Sequence, residues 1–484
     1  MKKIKIYSSL LLACGFLITG CEDRLDEFEP YNQQTLDSFY KTPAEFTQAA
    51  NGMYSGMRTA GYYAAGGTAS DYNIVADVLS DNVILNTEGR QSGRQNAEFT
   101  YNSNNTATAL YTAAYFVASR SNAILKNIDN LPAGAFKDNI KGQALAIRGL
   151  THFDVVRSYS KIPTQSSDAN ASIGIAYLES FEPEGKPARL ATVSETYTKI
   201  ITDLENASNL IAVVNESGKL DRKAVKGLLS RVYLFQGNYA LAAQRAQECI
   251  ALGATLATRT DFPGIWRDVP GDRDILFKII VNTQDNIQLG TNYFQLLAGE
   301  IFSEYVCDFS LFNLYTATDV RKAAYIKTSI TGSKTYNHII KYDTNTANLR
   351  FINGKYLRVS EIYLNLAEAL LKRSTPDEAG ALAALNALRS RRYLPYTPGT
   401  ETGAALLNAV YLERRLELAF ESDRFYTIKR LGQSLQRSGF GHLSDGTGTV
   451  AFPQQLPATD HRWQLPLSRN TLLYNSNIIQ NPNY

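Results

Sequence analysis

The stretch "KGLLSRVYLFQGNYALAAQRAQECIALGA", residues 226–254, decides the fold. Small Ser230, Tyr233, Gly237 at the turn, Tyr239, Ala242 and Cys249 fall where a tetratricopeptide unit places small, aromatic and turn residues. Small side chains at those positions let the two helices of a hairpin approach closely. Cys249 is then a small buried filler and not a reactive thiol. Such a hairpin leaves an apolar face uncovered, so it needs helical neighbours.

The chain supplies them. "YLRVSEIYLNLAEALLKR" (356–373) and "PDEAGALAALNALRSRR" (376–392) read as a second pair, and "TGAALLNAVYLERRLELAFESDR" (402–424) as a third helix. Helix starts are marked by capping boxes: "TPAEF" at 42–46 with Thr42, Pro43 and Glu45, "TVSE" at 192–195, and "TPDE" at 375–378. Between about 256 and 356 the pattern changes. "DILFKIIVN" (274–282) and "HIIKYD" (338–343) read as short strands among Gly-, Asn- and aromatic-rich loops. The expectation is a mostly α protein, a tetratricopeptide-like α-α superhelix with inserted loop regions and a few short β-strands. It divides into a signal over 1–20, an N-terminal half over 21–215 and a C-terminal half over 216–484 that contains the loop region 256–356.

The signal is read from Lys2, Lys3 and Lys5, the apolar run Ile6 to Ile18, and small Thr19 and Gly20, a stretch too short to span a membrane. Ile18-Thr19-Gly20-Cys21 resembles a bacterial lipobox, which makes Cys21 the lipidated first mature residue. A rival match at Cys14 would leave a very short apolar run before it. Five acids follow Cys21 within nine residues, a composition that cannot pack and reads as a mobile leader. The whole chain has 49 basic and 46 acidic residues; removing three signal lysines leaves 46 against 46. A net charge of zero does not call for nucleic acid. Cys249 and Cys307 alone remain in the mature chain, which is no disulfide framework, so the core must hold the fold.

Catalytic and metal signatures are weak. His152, His338, His442 and His461 are scattered, and there is no nucleophile elbow, P-loop or dinucleotide fingerprint. Glu413, Glu417 and Glu421 recur every four residues, a spacing that invites comparison with paired glycosidase carboxylates, but Arg414, Arg415 and Arg424 sit among them as an ion-pair network would require. "DVPGDRD" (268–274) has three aspartates at loop spacing, so calcium is conceivable, yet the rest of an EF-hand is missing. No cofactor is expected, and the chain is read as a binder rather than an enzyme.

Binding chemistry is better represented. Sugars present C–H faces that stack on aromatic rings, and hydroxyls that Asn, Asp, Gln and Arg can bond. The Gly-rich loops "GYYAAGGTASDY" (61–72) and "NTEGRQSGRQN" (86–96) offer Tyr62, Tyr63, Asp71, Tyr72, Asn73, Asn86 and Arg90. The loop region adds Trp266 with Arg267, and Asn292 and Tyr293 with Gln295. These are the candidate ligand-binding residues.

Taken in order, the motifs resemble the SusD/RagB family over essentially the whole mature length. "CEDRLDEFEPYNQQTLDSFYKTPAEFTQAANGMYSGMR" is similar to the family opening, and "ADVLSDNV" (76–83) to its A-S-D-N element. "ALAIRGLTHFDVVRSYSKIP" (144–163) is similar to its R-A-x-x-Y-F-D-L-V helix. "YLRVSEIYLNLAEAL", "ALNALRSRR", "LERRLELAFESDRFYTIKRLG" and the final "QNPNY" follow in family order. Thr427 and Ile428 depart from a common Asp-Leu, and Tyr111 stands where a Trp is frequent.

The resemblance implies a non-enzymatic, lipid-anchored nutrient binder on the outer face of the outer membrane. It implies a SusC-like TonB-dependent transporter as partner, an oligosaccharide as ligand, and contact with outer-membrane lipid through acylated Cys21. Two alternatives stand beside it: a peptide-binding RagB-type member, for which Asn86, Arg90 and Arg94 would be suited, and a surface glycoside hydrolase built on the Glu413 series.

Overall fold

The computed structural model describes residues 38–63, 71–182, 184–269, 273–282, 287–343 and 351–484. Cys21, the signal and the acidic leader lie outside the described residues, as do parts of the loops at 61–72 and 268–274.

Helices dominate, as the sequence predicts. α1 (Pro43–Gly56) starts at Thr42, whose hydroxyl accepts from the Glu45 amide while the Glu45 carboxylate accepts from the Thr42 amide. α2 (Tyr72–Val78), α3 (Leu110–Asn127) and α4 (Ala135–Tyr159) follow. α5 (Val193–Leu210) opens on the second capping box at Thr192 and Glu195. The decisive hairpin is α6 (Arg222–Gln236) and α7 (Tyr239–Ala251). Gly237 between them has φ +86°, the left-handed conformation that ends a helix most cheaply with glycine. The second pair is α8 (Val359–Lys372) and α9 (Glu378–Arg389), with α10 (Gly403–Glu417), α11 (Arg424–Arg430) and α12 (Arg469–Tyr474) after it.

α3 packs on α4, α4 on α5, α5 on α6, α6 on α7 and α8 on α9; α8 also packs against α7 and α10, and one large apolar core links these helices. The approach is close: a Cβ on Gly142 of α4 would lie 2.6 Å from the Ile211 amide nitrogen. Ser230, Ala242 and Cys249 are completely buried, and Ser230 accepts from Asn365 of α8 at 3.1 Å. Cys249 is free, and burial pushes its thiol up to about 12, which makes it inert filler.

Three local expectations shift. The cap of α9 is Asp377, which accepts from the Gly380 amide, and not Thr375. The helix expected over 402–424 ends at Glu417, because the chain turns through positive φ at Phe420 and Ser422 before α11. The strand expected at 338–343 lies earlier, at Lys334–Ile339, where it pairs with the strand before it.

β1 (Val83–Leu85), β5 (Tyr305–Cys307), β7 (Lys334–Ile339) and β6 (Ile326–Thr331) form an antiparallel sheet in the order β1-β5-β7-β6. The register puts Leu85 opposite Tyr305 and Val306 opposite His338. β2 (Ile275–Ile279) pairs with β8 (Gly354–Arg358), and β3 (Gln295–Leu297) forms a hairpin with β4 (Glu300–Phe302). No described helix is long and apolar enough to cross a membrane.

Candidate functional site

The sheet brings three separate segments around one groove of about 500 Å³. β1 runs out into the loop at 86–90, which makes one wall. The β3–β4 hairpin makes the other with Gln295, Leu297, Glu300 and Phe302, and β7 forms the floor with Tyr336 and His338. The turn carrying Gly332 and Lys334 closes one end.

A buried carboxylate ties the walls together. Glu304 accepts from Arg90 Nη2 at 2.6 Å, from the Ser92 amide at 2.6 Å and from Asn292 Nδ2 at 3.3 Å. Asn86 is fixed from both ends, donating to the Ser303 carbonyl at 3.0 Å and accepting from the Glu88 amide at 3.0 Å. His338 bonds Ser303 Oγ at 2.7 Å, and burial lowers it to about 4, so the floor is neutral imidazole at pH 7. Glu88 is held below the usual carboxylate range by Lys334 and Tyr336, which both donate to it.

The groove is amphipathic as a result. Phe302 is 41% exposed and Leu297 66%, giving apolar faces, and the Arg90 guanidinium, Gln295, Lys334, Glu88 and Glu300 give donors and acceptors around them. That combination can stack the C–H face of a pyranose and bond its hydroxyls.

Of the sequence-named residues, the structure brings Asn86 and Arg90 to this groove, with Asn292 behind it on Glu304. The others are corrections. Tyr62 and Tyr72 are buried and donate to the two oxygens of Asp154, Tyr72 at 2.6 Å, with Arg157 bonded to the same site. Tyr63 packs in that cluster between Tyr62 and Tyr356. Asp71 is the N-cap position of α2, and Asn73, its second residue, is buried. Trp266 is completely buried among Phe262 and Tyr325, with Lys341 over its ring at 4.1 Å. Tyr293 is buried against Tyr342 and Phe420. These rings are 6% exposed or less and pack into the core.

The groove residues missed from sequence are Phe302, Lys334, Tyr336 and Glu304. Their signal is tertiary: only the pairing of β5 with β1 and β7 sets them beside Arg90.

The carboxylates of the Glu413 series are committed to cations. Glu417 is bonded by Arg321, Arg358 and Arg392 and held well below the carboxylate range by their charges against the opposing effect of burial. Glu413 pairs with Arg321 at 2.6 Å and Arg389 at 3.0 Å, and Glu421 with Lys341 and Arg358. Asp268 pairs with Lys355 and Asp274 with Arg358 and Arg392, so the two described aspartates at the ends of the 268–274 loop serve different partners. Among the described residues no three His, Cys, Asp or Glu side chains are grouped to hold a metal.

Residues 25–234 match the family described as SusD-like, starch-binding associating with outer membrane, and residues 304–484 match the SusD family. A SusD-like protein of Formosa agariphila is 28% identical over the full length of both chains. The crystal structure of a SusD superfamily protein from Bacteroides thetaiotaomicron superposes with a TM-score of 0.78 at 26% identity, covering 91% of this chain and all of the other. A laminarin-binding SusD-like protein shares the fold at a TM-score of 0.69 and 21% identity, over 92% of this chain and 100% of its own. The chain belongs to the SusD/RagB family.

Proposed function

We propose that this protein is a cell-surface oligosaccharide-binding lipoprotein. It captures glycan in the groove beneath Phe302 and Leu297 and hands it to a SusC-like TonB-dependent transporter. Acylated Cys21 holds it at the outer membrane, facing the exterior. The observation that carries this reading is the groove itself: exposed apolar faces beside a ring of charged and amide side chains already fixed by Glu304 and Glu88. A shallow site of this kind binds at about micromolar to millimolar strength and relies on the transporter to complete the grip. The fold carries laminarin binding in one structural neighbour, which supports glycan over peptide as the ligand class.

Isothermal titration against an oligosaccharide panel and a peptide mixture tests it, with Phe302→Ala as control. Heat with oligosaccharide that weakens in the variant supports the reading; heat only with peptides overturns it in favour of the RagB-type alternative.

A further inference from the structure

A second cleft, of about 540 Å³, lies between α3, a strap made of the described residues 176–182 and 184–187, and the C-terminal segment from α12 onward. It shares no residue with the groove described above. Tyr111 and Tyr115 pack in its wall with ring centroids 4.6 Å apart, and Tyr474 stands at its edge with 80% of its surface exposed. Glu179, Glu182 and Lys186 line it on the strap.

The cleft is built in advance. Tyr115 donates to the Ala176 carbonyl at 2.5 Å, and Asn122 donates to the carbonyls of Leu178 and Ser180 at 3.0 and 3.1 Å. The buried imidazole of His152 accepts from the Leu178 amide at 3.0 Å. Across the cleft, Asn475 donates to the Pro187 carbonyl at 2.9 Å and Asn477 to the Lys186 carbonyl at 2.7 Å. Three distant segments are thus cross-tied into one shape, so a ligand entering it pays little ordering cost.

We propose that this cleft is a second oligosaccharide site. Its ligand class rests on the glycan reading of the first groove and on a like pairing of apolar faces, here tyrosine rings, with carboxylate, ammonium and amide groups. Two sites on one surface-held protein let a single polysaccharide chain be held at two points, which raises retention without tightening either site.

The two native tryptophans are buried, so a surface tryptophan reports locally. Tyr474→Trp places that reporter in the second cleft and keeps a stacking ring, and Phe302→Trp places one in the first groove. Each is titrated with laminarihexaose, cellohexaose, xylohexaose and trigalacturonic acid up to about 10 mM, the weak limit for such sites. Saturable emission change in Tyr474→Trp, unaffected when Phe302→Ala is added and lost when Tyr111→Ala is added, is the expected result. A response in Phe302→Trp alone overturns the second site and leaves the first. A response in Tyr474→Trp alone does the reverse. Silence of both reporters across the panel overturns both.

Discussion

Glu304 and Arg90, 214 positions apart in the chain, meet at 2.6 Å, and the carboxylate is buried where the guanidinium is 59% exposed. The pair is a bolt that holds the 86–92 loop against the β3–β4 hairpin. Glu304→Gln keeps the shape but removes the charge. We expect a stability loss of about 1–2 kcal/mol, discounted for the exposed arginine, and a several-fold weaker glycan titration. Urea unfolding and calorimetry measure the two; an unchanged affinity with lowered stability would show that the loop holds its place without the pair.

Phe302→Ala removes an exposed ring. Stability should move by no more than about 0.5 kcal/mol. Affinity for the responding oligosaccharide should fall about tenfold, equivalent to about 1.4 kcal/mol of stacking.

Glu417→Gln leaves Arg321, Arg358 and Arg392 buried around a neutral amide. Breaking a buried network in this way costs about 3–5 kcal/mol. The measured quantity is the unfolding free energy. If Glu417 were instead a hydrolytic acid, wild type would release sugar and the variant would not, and the expected result is no release from either.

His152 titrates against folding. Burial lowers it to about 3 from an ordinary value of 6.5, so below pH 6.5 the unfolded chain binds a proton that the folded one refuses. Stability from this group is complete above pH 6.5 and is lost as pH falls toward 3. Between pH 6.5 and 5 the loss should be about 2 kcal/mol, and His152→Gln should remove that part of the slope. Denaturation at the two pH values compares them.

Cys21→Ala should abolish labelling by radioactive palmitate and release the protein from the membrane fraction. Equal label in variant and wild type would place the acyl chain elsewhere.

The helical body was legible because its determinants are local. Thr42 and Glu45 cap α1 within three residues, and Gly237 marks its turn by the one residue type that sits there without strain. The sheet was not, since β1 and β5 are three residues each and their partners, Val83 and Cys307, meet across more than two hundred positions. The site divided the same way. Asn86 and Arg90 announced themselves in a polar Gly-rich loop, whereas a tyrosine looks identical in sequence whether its hydroxyl faces water or a buried acceptor. For Tyr62 the acceptor is Asp154, 92 positions on, and only the fold supplies it.

The ties from Asn475 and Asn477 to the strap belong to a wider closure at the chain end. Asn481 donates to the Tyr159 and Leu465 carbonyls and accepts from Arg189. Asn481 therefore locks the end of a helix made some three hundred residues earlier. A chain cut before Asn475 would carry every repeat and still lack its latch, readable as protease cutting within the strap.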